Sequence, residues 1–365
     1  MDRARPRRGG RMSGSLVRRA GPGSGPHGAP TAIALSPILS ARYHSRDLER
    51  IRAAAPGAAI VTVSVEGLAD GPLDDVEVML RGWLSSEAFD RILARAPRLT
   101  WVHSATSGVE RALTPAALER GVVVTNARGV FSQPIAEYVL MMILAVSRRL
   151  PQLLELQRER TWQPLEGTEL HDVTVGIVGL GSIGRAVATL AKGFGCRVVA
   201  VRRHADSGSS SPERDPARDP LGEIALDRVG GPETLPELLA ESDFIVLAAP
   251  LTPETDEMIN AETLAMVKPG AWLINVARGR LIDERALLRA LRDGELGGAV
   301  LDTFRDEPLP PMSSFYDLPN VIVTPHTSWS SGRVLDRSVE LFCDNLRRFA
   351  VGETLLNVVD PSAGY

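Results

Sequence analysis

Three polar side chains follow three apolar runs in the second half of the sequence. Arg278 stands near the end of "LINVARG", Glu307 comes shortly after "GAVLDTF", and His326 ends "VIVTPH". The arginine is a permanent cation that can bind a carboxylate and polarise a carbonyl. The histidine can exchange a proton near neutral pH, and a glutamate beside it would stabilise the imidazolium and fix its tautomer. Each residue alone is more often a surface or structural group, but together they predict hydride-transfer chemistry on an anion.

These side chains would meet at one edge if the apolar runs are parallel strands of one sheet. Apolar runs alternate with helical stretches in two series, which begin near residues 31 and 173. This alternation predicts an α/β fold of two doubly wound parallel-sheet domains, with ligands outside the carboxyl ends of the strands. The predicted strands are "TAIALS", "AAIVTVS", "VEVMLRG", "LTWVHSA" and "GVVVTNA" in the first series, and "VTVGIVG", "RVVAVR", "FIVLAAP", "AWLINVA", "GGAVLDT" and "VIVTPH" in the second.

Helices are predicted between and after these strands. The helical stretches include residues 45–55 and 86–96, a long apolar helix at 134–149 that joins the two series, and a final helix at 331–349. Residues 205–223 are polar without periodicity, which is typical of a surface loop. Residues 1–30 are rich in Arg, Gly and Pro and predict a disordered tail.

A glycine loop opens the second series. In "VTVGIVGLGSIGRAV", Gly179, Gly181 and Gly184 follow an apolar strand and begin a helix, and a second strand comes about 20 residues later. The first glycine would make the tight turn, the second would let the backbone approach a pyrophosphate, and the third would let helix and strand pack closely. We predict that this loop, with Ser182 and Ile183, binds a dinucleotide on the helix N-terminus.

The end of the second strand of this unit bears on the choice of cofactor. An acidic residue at that position accepts from the ribose 2′-hydroxyl of NAD, but this chain has Arg202 followed by Arg203. Paired guanidinium groups can bind a 2′-phosphate, so we predict that NADP is preferred over NAD. The alternative is that both arginines are solvated residues of a chain in which Lys192 and Lys268 are the only lysines.

The motifs "GLGSIG", "NVARG", "EPLP" and "TPH", with "SATSGVE" and "PIAEYVL" in the first half, resemble the D-isomer-specific 2-hydroxyacid dehydrogenases from about residue 31 to the end. The resemblance implies a flavodoxin-like substrate domain at 31–133, completed by 327–365, and a Rossmann dinucleotide-binding domain at 134–326, with a cleft between them. It implies Arg278, Glu307 and His326 as the catalytic set and Ser107 and Gly108 as amides that hold the substrate carboxylate. It also implies Asp302 near the nicotinamide carboxamide. The predicted cofactor contacts are completed by Ala249, Pro250, Val276 and Ala277.

The resemblance further implies a small 2-oxo or 2-hydroxy acid as substrate, with glyoxylate and hydroxypyruvate as the first expectations, and a homodimer. Phosphite and phosphoglycerate dehydrogenases stay open among the enzymes, and a nucleotide-sensing binding protein of the corepressor type stays open in another class. Formate dehydrogenases resemble the family but have glutamine where Glu307 stands. Trp329 replaces a residue that is usually small, which leaves the shape of the pocket undecided.

Composition sets the remaining expectations. The 365 residues carry a formal net charge of −4, which gives no reason to expect nucleic acid or an anionic membrane as a partner. Cys196 and Cys343 lie far apart and suggest neither a metal site nor a disulfide scaffold, so we expect a reducing, cytoplasmic location. No apolar run reaches the roughly 18 residues of a membrane span.

Overall fold

The computed structural model of the protein describes residues 28–38, 43–203 and 226–361. Most of the tail predicted at residues 1–30, and the polar stretch predicted at 205–223, lie outside these described residues. The elements of the first half are β1 (Ala32–Leu35), α1 (Ser45–Ala54), β2 (Ala59–Thr62), β3 (Val76–Arg81), α2 (Ser86–Arg95), β4 (Trp101–Ser104), α3 (Pro115–Glu119), β5 (Val123–Thr125), α4 (Ser132–Ser147) and α5 (Leu150–Arg158).

The elements of the second half continue in the same alternation. They are β6 (Thr174–Val178), α6 (Ser182–Gly193), β7 (Arg197–Val201), β8 (Arg228–Gly230), α7 (Leu235–Glu241), β9 (Phe244–Leu247), α8 (Ala261–Leu264), β10 (Trp272–Asn275), α9 (Glu284–Arg292), β11 (Gly298–Leu301), β12 (Val321–Val323) and α10 (Val334–Val351). Short 3₁₀ segments lie at Leu170–Asp172, Pro232–Thr234, Gly279–Leu281 and Ser314–Asp317.

The first sheet has five parallel strands in the order β2-β1-β3-β4-β5. This is the flavodoxin-like order, in which the chain reverses direction across the sheet between β1 and β3. Phe89 and Ile92 of α2 are buried in the apolar core on one face. On the other face, Ile51 of α1 and Phe342 of α10 pack around Trp101. The last helix of the chain therefore returns to the first sheet.

The second sheet has seven parallel strands in the order β12-β11-β10-β9-β6-β7-β8. From β8 across to β12 this is the doubly wound dinucleotide-binding order with one added strand, and the chain reverses between β6 and β9. The predicted α/β class with two parallel-sheet domains is confirmed. The strands β10, β11 and β12 are neighbours, so the segments that carry Arg278, Glu307 and His326 leave the same edge.

The helix at the join differs from its prediction. The apolar pattern predicts one helix at 134–149, but α4 begins at Ser132 and ends at Ser147. Arg149 then takes a left-handed backbone conformation, with φ of 54°, and α5 starts as a separate helix. Pro134 is the third residue of α4, where its missing N–H breaks no bond within the helix. None of the described helices is long and apolar enough to cross a membrane.

Candidate active site

The predicted acid and its carboxylate partner lie within hydrogen-bonding distance. Glu307 Oε2 lies 2.8 Å from His326 Nδ1, and Glu307 Oε1 accepts from the backbone N–H of Phe304 at 3.0 Å. Burial raises the pKa of Glu307, but the hydrogen bonds from His326 and Phe304 and the nearby charges of His326 and Arg278 outweigh burial and lower that pKa below its ordinary value. The carboxylate is therefore the stable form, and it accepts from Nδ1, which leaves Nε2 for proton exchange.

The loop that carries His326 is held by Asp302. This buried carboxylate accepts from Thr324 Oγ1 at 2.6 Å, from the N–H of Thr327 at 2.8 Å and from the N–H of Ser328 at 2.9 Å. His326 has a φ of 49°, a left-handed conformation that is costly for a residue with a side chain unless its surroundings hold it. We assign this holding role to Asp302, in addition to the cofactor contact predicted for it.

A tyrosine at the domain join completes this clamp. The Tyr138 hydroxyl lies 2.6 Å from Thr324 Oγ1, and because Thr324 donates to Asp302, Tyr138 is the donor in this pair. Burial raises the pKa of Tyr138 to about 12, although its hydrogen bond with Thr324 acts in the opposite direction. The phenol therefore stays protonated and remains a donor. The sequence signal for this role, a tyrosine inside an apolar helix, was too weak to predict it.

Arg278 reaches from the second sheet to a loop of the first domain. Its Nη1 donates to the carbonyl oxygen of Ala277 at 2.8 Å, and its Nε donates to Oε1 of Glu110 at 3.3 Å. A Cβ placed on Gly108 would overlap Arg278 Nη2, so the guanidinium packs directly on the backbone of that glycine. The structure thus brings Arg278 and Gly108 together, as the substrate-site prediction requires. Glu110 was not predicted.

The loop at Ser107 and Gly108 contributes two backbone donors beside the arginine. Within the described ranges, the N–H groups of Ser107 and Gly108 donate to no acceptor. The Ser107 carbonyl accepts from Asn126 Nδ2 at 3.0 Å, and the Gly108 carbonyl accepts from Thr106 Oγ1 at 2.6 Å. These bonds fix the loop through its carbonyl oxygens and leave its two N–H groups for an anion.

The glycine loop has the geometry that a dinucleotide site needs. Gly179 has a φ of 102°, and a Cβ there would lie 2.5 Å from the N–H of Ala249. A Cβ on Gly184 would overlap the carbonyl oxygen of Gly179, whereas a Cβ on Gly181 would meet nothing within 4 Å. The open side at Gly181 faces the start of α6, where free N–H groups favour a phosphate. The residues present therefore fit a dinucleotide.

The other predicted cofactor residues lie at the same edge of the second sheet. Ser182 and Ile183 begin α6, Ala249 and Pro250 follow β9, and Val276 and Ala277 follow β10. Arg202 directly follows β7, and its N–H donates to the carbonyl of Gly230 at 3.0 Å. The neighbouring Arg203 forms an ion pair with Glu254, with 3.2 Å between Nη2 and Oε2.

An aromatic pair lies beside the predicted histidine. The Nε1 of Trp329 donates to the carbonyl of His326 at 2.7 Å, and its ring meets Trp83 edge to face with centroids 6.4 Å apart. Trp83 follows β3 of the first sheet, so the pair joins the segment after His326 to the first domain. The large residue at 329 therefore packs against Trp83.

The Rossmann sheet, the glycine loop, and the arginine and carboxylate–histidine pair at one sheet edge define an NAD(P)-dependent dehydrogenase. Residues 140–328 match the model of the D-isomer specific 2-hydroxyacid dehydrogenase NAD-binding domain. The chain belongs to the D-isomer specific 2-hydroxyacid dehydrogenase family, which confirms the resemblance seen in its motifs.

Individual relatives agree with this assignment. A glyoxylate reductase from Korarchaeum cryptofilum is 34% identical over 296 residues, which cover 79% of this chain and 82% of the relative. A family member from Xanthobacter autotrophicus Py2, solved in complex with NADPH and MES, is 31% identical with a TM-score of 0.77, covering 92% of this chain and 100% of that one. An NADPH-dependent glyoxylate/hydroxypyruvate reductase from Sinorhizobium meliloti, solved with NADP and sulfate, is 27% identical with a TM-score of 0.75 and the same coverage.

Proposed function

We propose that this protein reduces glyoxylate and hydroxypyruvate to the corresponding 2-hydroxy acids, with NADPH as the preferred cofactor and with Arg278, Glu307 and His326 as its catalytic residues. The observation that carries the proposal is the hydrogen bond between Glu307 and His326 beside Arg278 in a chain of this family. Relatives named for glyoxylate or hydroxypyruvate reduction support the substrate class.

Arg278 binds and polarises the substrate in this mechanism. Its guanidinium packs on Gly108, so a 2-oxo acid held by the N–H groups of Ser107 and Gly108 would also meet the arginine. The positive charge neutralises the carboxylate and stabilises the negative charge that grows on the carbonyl oxygen. A nicotinamide dinucleotide held at the loop of Gly179, Gly181 and Gly184 would supply the hydride that the carbonyl carbon needs.

His326 supplies the proton. The Glu307 carboxylate accepts from Nδ1, so the proton that leaves for the substrate oxygen is the one on Nε2. The carboxylate stabilises the imidazolium before transfer and keeps the ring oriented after it. The Asp302 clamp fixes the backbone beneath the ring, so that Nε2 keeps one position through the reaction.

The cofactor preference rests on Arg202. The N–H of Gly179 donates to the carbonyl of Val201, the last residue of β7, at 2.9 Å. Arg202 is the next residue, so it lies beside the glycine loop. Solved relatives with NADPH or NADP support this preference. We assign the larger share of 2′-phosphate binding to Arg202, because it directly follows β7 and Arg203 lies one residue further from the strand end.

The experiment that tests the proposed function is a steady-state panel with the full-length protein. The substrates are glyoxylate, hydroxypyruvate, pyruvate and phosphohydroxypyruvate, each with NADPH and with NADH. We expect the highest kcat/KM for glyoxylate or hydroxypyruvate. Phosphohydroxypyruvate as the best substrate would instead identify a phosphoglycerate dehydrogenase.

The cofactor arm uses Arg202→Asp. Charge-assisted contacts of about 1.5–3 kcal/mol correspond to roughly a tenfold to hundredfold preference for NADPH in kcat/KM. We expect Arg202→Asp to reverse that preference, because the carboxylate repels the phosphate and accepts from the NADH ribose. A wild type that prefers NADH, or a variant with an unchanged ratio, would mean that both arginines are surface residues.

We also propose a homodimer formed through the region after α4. No residue of α5 is buried, and Leu150, Leu153 and Leu154 are exposed along it. Met141 and Trp162 are exposed on either side of it. An apolar surface of this kind is typical of an interface, and light scattering of the purified protein tests it. The cytoplasmic location stays a prediction.

A further inference from the structure

An unexpected carboxylate contacts the substrate-binding arginine. Glu110 belongs to the first domain and Arg278 follows a strand of the second, yet Glu110 Oε1 lies 3.3 Å from Arg278 Nε. The pair therefore joins the two domains across the cleft. It also engages the only one of the three catalytic side chains that is a permanent cation.

The Glu110 carboxylate and the Arg278 guanidinium both pack against Gly108. A Cβ on Gly108 would lie 2.5 Å from Glu110 Oε2 and would overlap Arg278 Nη2. The Glu110 carboxylate is thus beside the free N–H groups of the loop and beside the guanidinium, which are the groups that would bind a substrate carboxylate. The carboxylate of an incoming substrate would therefore meet the Glu110 carboxylate, which has the same negative charge, next to Arg278.

The donors of Arg278 are partly used. Nε donates to Glu110 and Nη1 donates to the Ala277 carbonyl. A carboxylate that binds side-on, through the parallel N–H groups of Nε and Nη2, has to compete with Glu110 for Nε. The Ala277 bond is to the adjacent residue and can persist, so the Glu110 bond is the one that substrate has to replace.

We propose that Glu110 is a specificity-determining residue of the substrate site: it pairs with Arg278 while no acid is bound, and it must be displaced by the substrate carboxylate. This inference rests on the proposed function of Arg278 in substrate binding. After displacement, Glu110 remains close to the site and repels a second negative charge. The site therefore favours monoanionic 2-oxo acids over dianionic ones.

The size of the effect follows from the exposure of the pair. The Arg278 and Glu110 side chains are 36% and 53% exposed, so water and salt screen their attraction. Pairs of this kind change an equilibrium by about 1.4- to 5-fold. Removing the charge of Glu110 should lower KM for glyoxylate within that range, while kcat changes less than KM.

The test compares wild type with Glu110→Gln, which keeps the size of the side chain. The readouts are KM and kcat for glyoxylate with NADPH, and the Kd of oxalate for the NADPH-loaded protein by calorimetry. We expect tighter binding in the variant, with a larger gain for the dianion oxalate than for glyoxylate. Because ionic strength screens the Glu110–Arg278 pair, the difference between the two proteins should narrow as salt is added.

Glu119→Gln is the matched control, because Glu119 is an exposed glutamate of the same domain and this change removes the same charge. A similar gain in glyoxylate and oxalate binding in Glu119→Gln would mean that the effect comes from the net charge of the protein, and it would overturn the proposal. A higher KM or an unchanged oxalate Kd in Glu110→Gln would also overturn it, since Glu110 would then orient Arg278 or have no part in binding. Oxalate that binds neither protein is likewise a negative result. A chain that reduces no glyoxylate, but whose oxalate binding tightens in Glu110→Gln, would refute the proposed substrate and not this inference.

Discussion

Gly108→Ala should disable catalysis without unfolding the protein. The added Cβ would overlap Arg278 Nη2, whereas ordinary contact begins at 3.4 Å, so the guanidinium has to move. A displacement on the order of 1 Å in a group that positions substrate can cost about 10²-fold in rate. The overlapping atom is the end of a flexible side chain and not backbone, so the fold can accept the methyl group. We therefore expect kcat/KM for glyoxylate to fall about a hundredfold with little change in Tm.

The assay is steady-state reduction of glyoxylate with NADPH, together with thermal unfolding of the same preparations. Gly193→Ala is the matched control, because Gly193 is the last residue of α6 and a Cβ there meets nothing within 4 Å. Alanine is more favourable than glycine in a helix by about 0.5–1 kcal/mol, so the control should keep its activity, and its Tm should stay the same or rise slightly. Full activity in Gly108→Ala would mean that catalysis does not need the Arg278 guanidinium in contact with Gly108, and the proposed substrate site would be wrong.

The other two predictions concern the carboxylates around His326. Glu307→Gln should change the low-pH limb of kcat/KM for reduction, because that limb reports protonation of the Glu307 carboxylate, whose pKa lies below its ordinary value, and an amide has no such proton to take up. A pH profile identical to that of wild type would contradict this. Asp302→Asn should lower stability by about 1–3 kcal/mol, because an amide nitrogen would face a buried N–H donor; thermal unfolding measures this, and an unchanged Tm would exclude a clamp at Asp302.

Most of the sheet could be predicted from the sequence, because buried parallel strands are continuous apolar runs. All of the strands proposed from such runs are present, with ends that differ by at most three residues. The strand β8 was missed because its three residues, "RVG", are too short to show a pattern and lie at the edge of the sheet. The end of α4 was misplaced because the left-handed turn at Arg149 depends on contacts with later residues, such as the Glu166 carbonyl that accepts from its Nε.

The candidate site also has features that the sequence predicts and features that it does not. Arg278, Glu307 and His326 could be predicted because each follows a strand, and the order of strands in a doubly wound sheet brings them to one edge. Contacts between segments that are distant in the sequence could not be predicted. Glu110 and Arg278 are 168 positions apart, and Tyr138 and Thr324 are 186 apart. Nothing in the local pattern of either partner signals such a contact.

Three carboxylates around the site differ in the number of donors that each accepts from in the described part of the chain. Asp302 is buried and accepts from three groups, the Glu307 side chain is 36% exposed and accepts from two, and the Glu110 side chain is 53% exposed and accepts from one. Because a buried charge has to recover in hydrogen bonds what it loses in hydration, the number of donors rises with burial. A fully bonded carboxylate cannot be exchanged for a ligand, whereas a singly bonded one can.

Because the three carboxylates differ in burial and in donor number, the variants Asp302→Asn, Glu307→Gln and Glu110→Gln should each change a different measured property. The carboxylate with three donors holds backbone, so its loss should appear first in stability. The one with two donors shares a proton partner, so its loss should appear in the pH profile. The one with a single donor competes with substrate, so its loss should appear in KM. If Glu110→Gln lowered Tm as much as Asp302→Asn, burial and donor number would not decide the role of a carboxylate in this site.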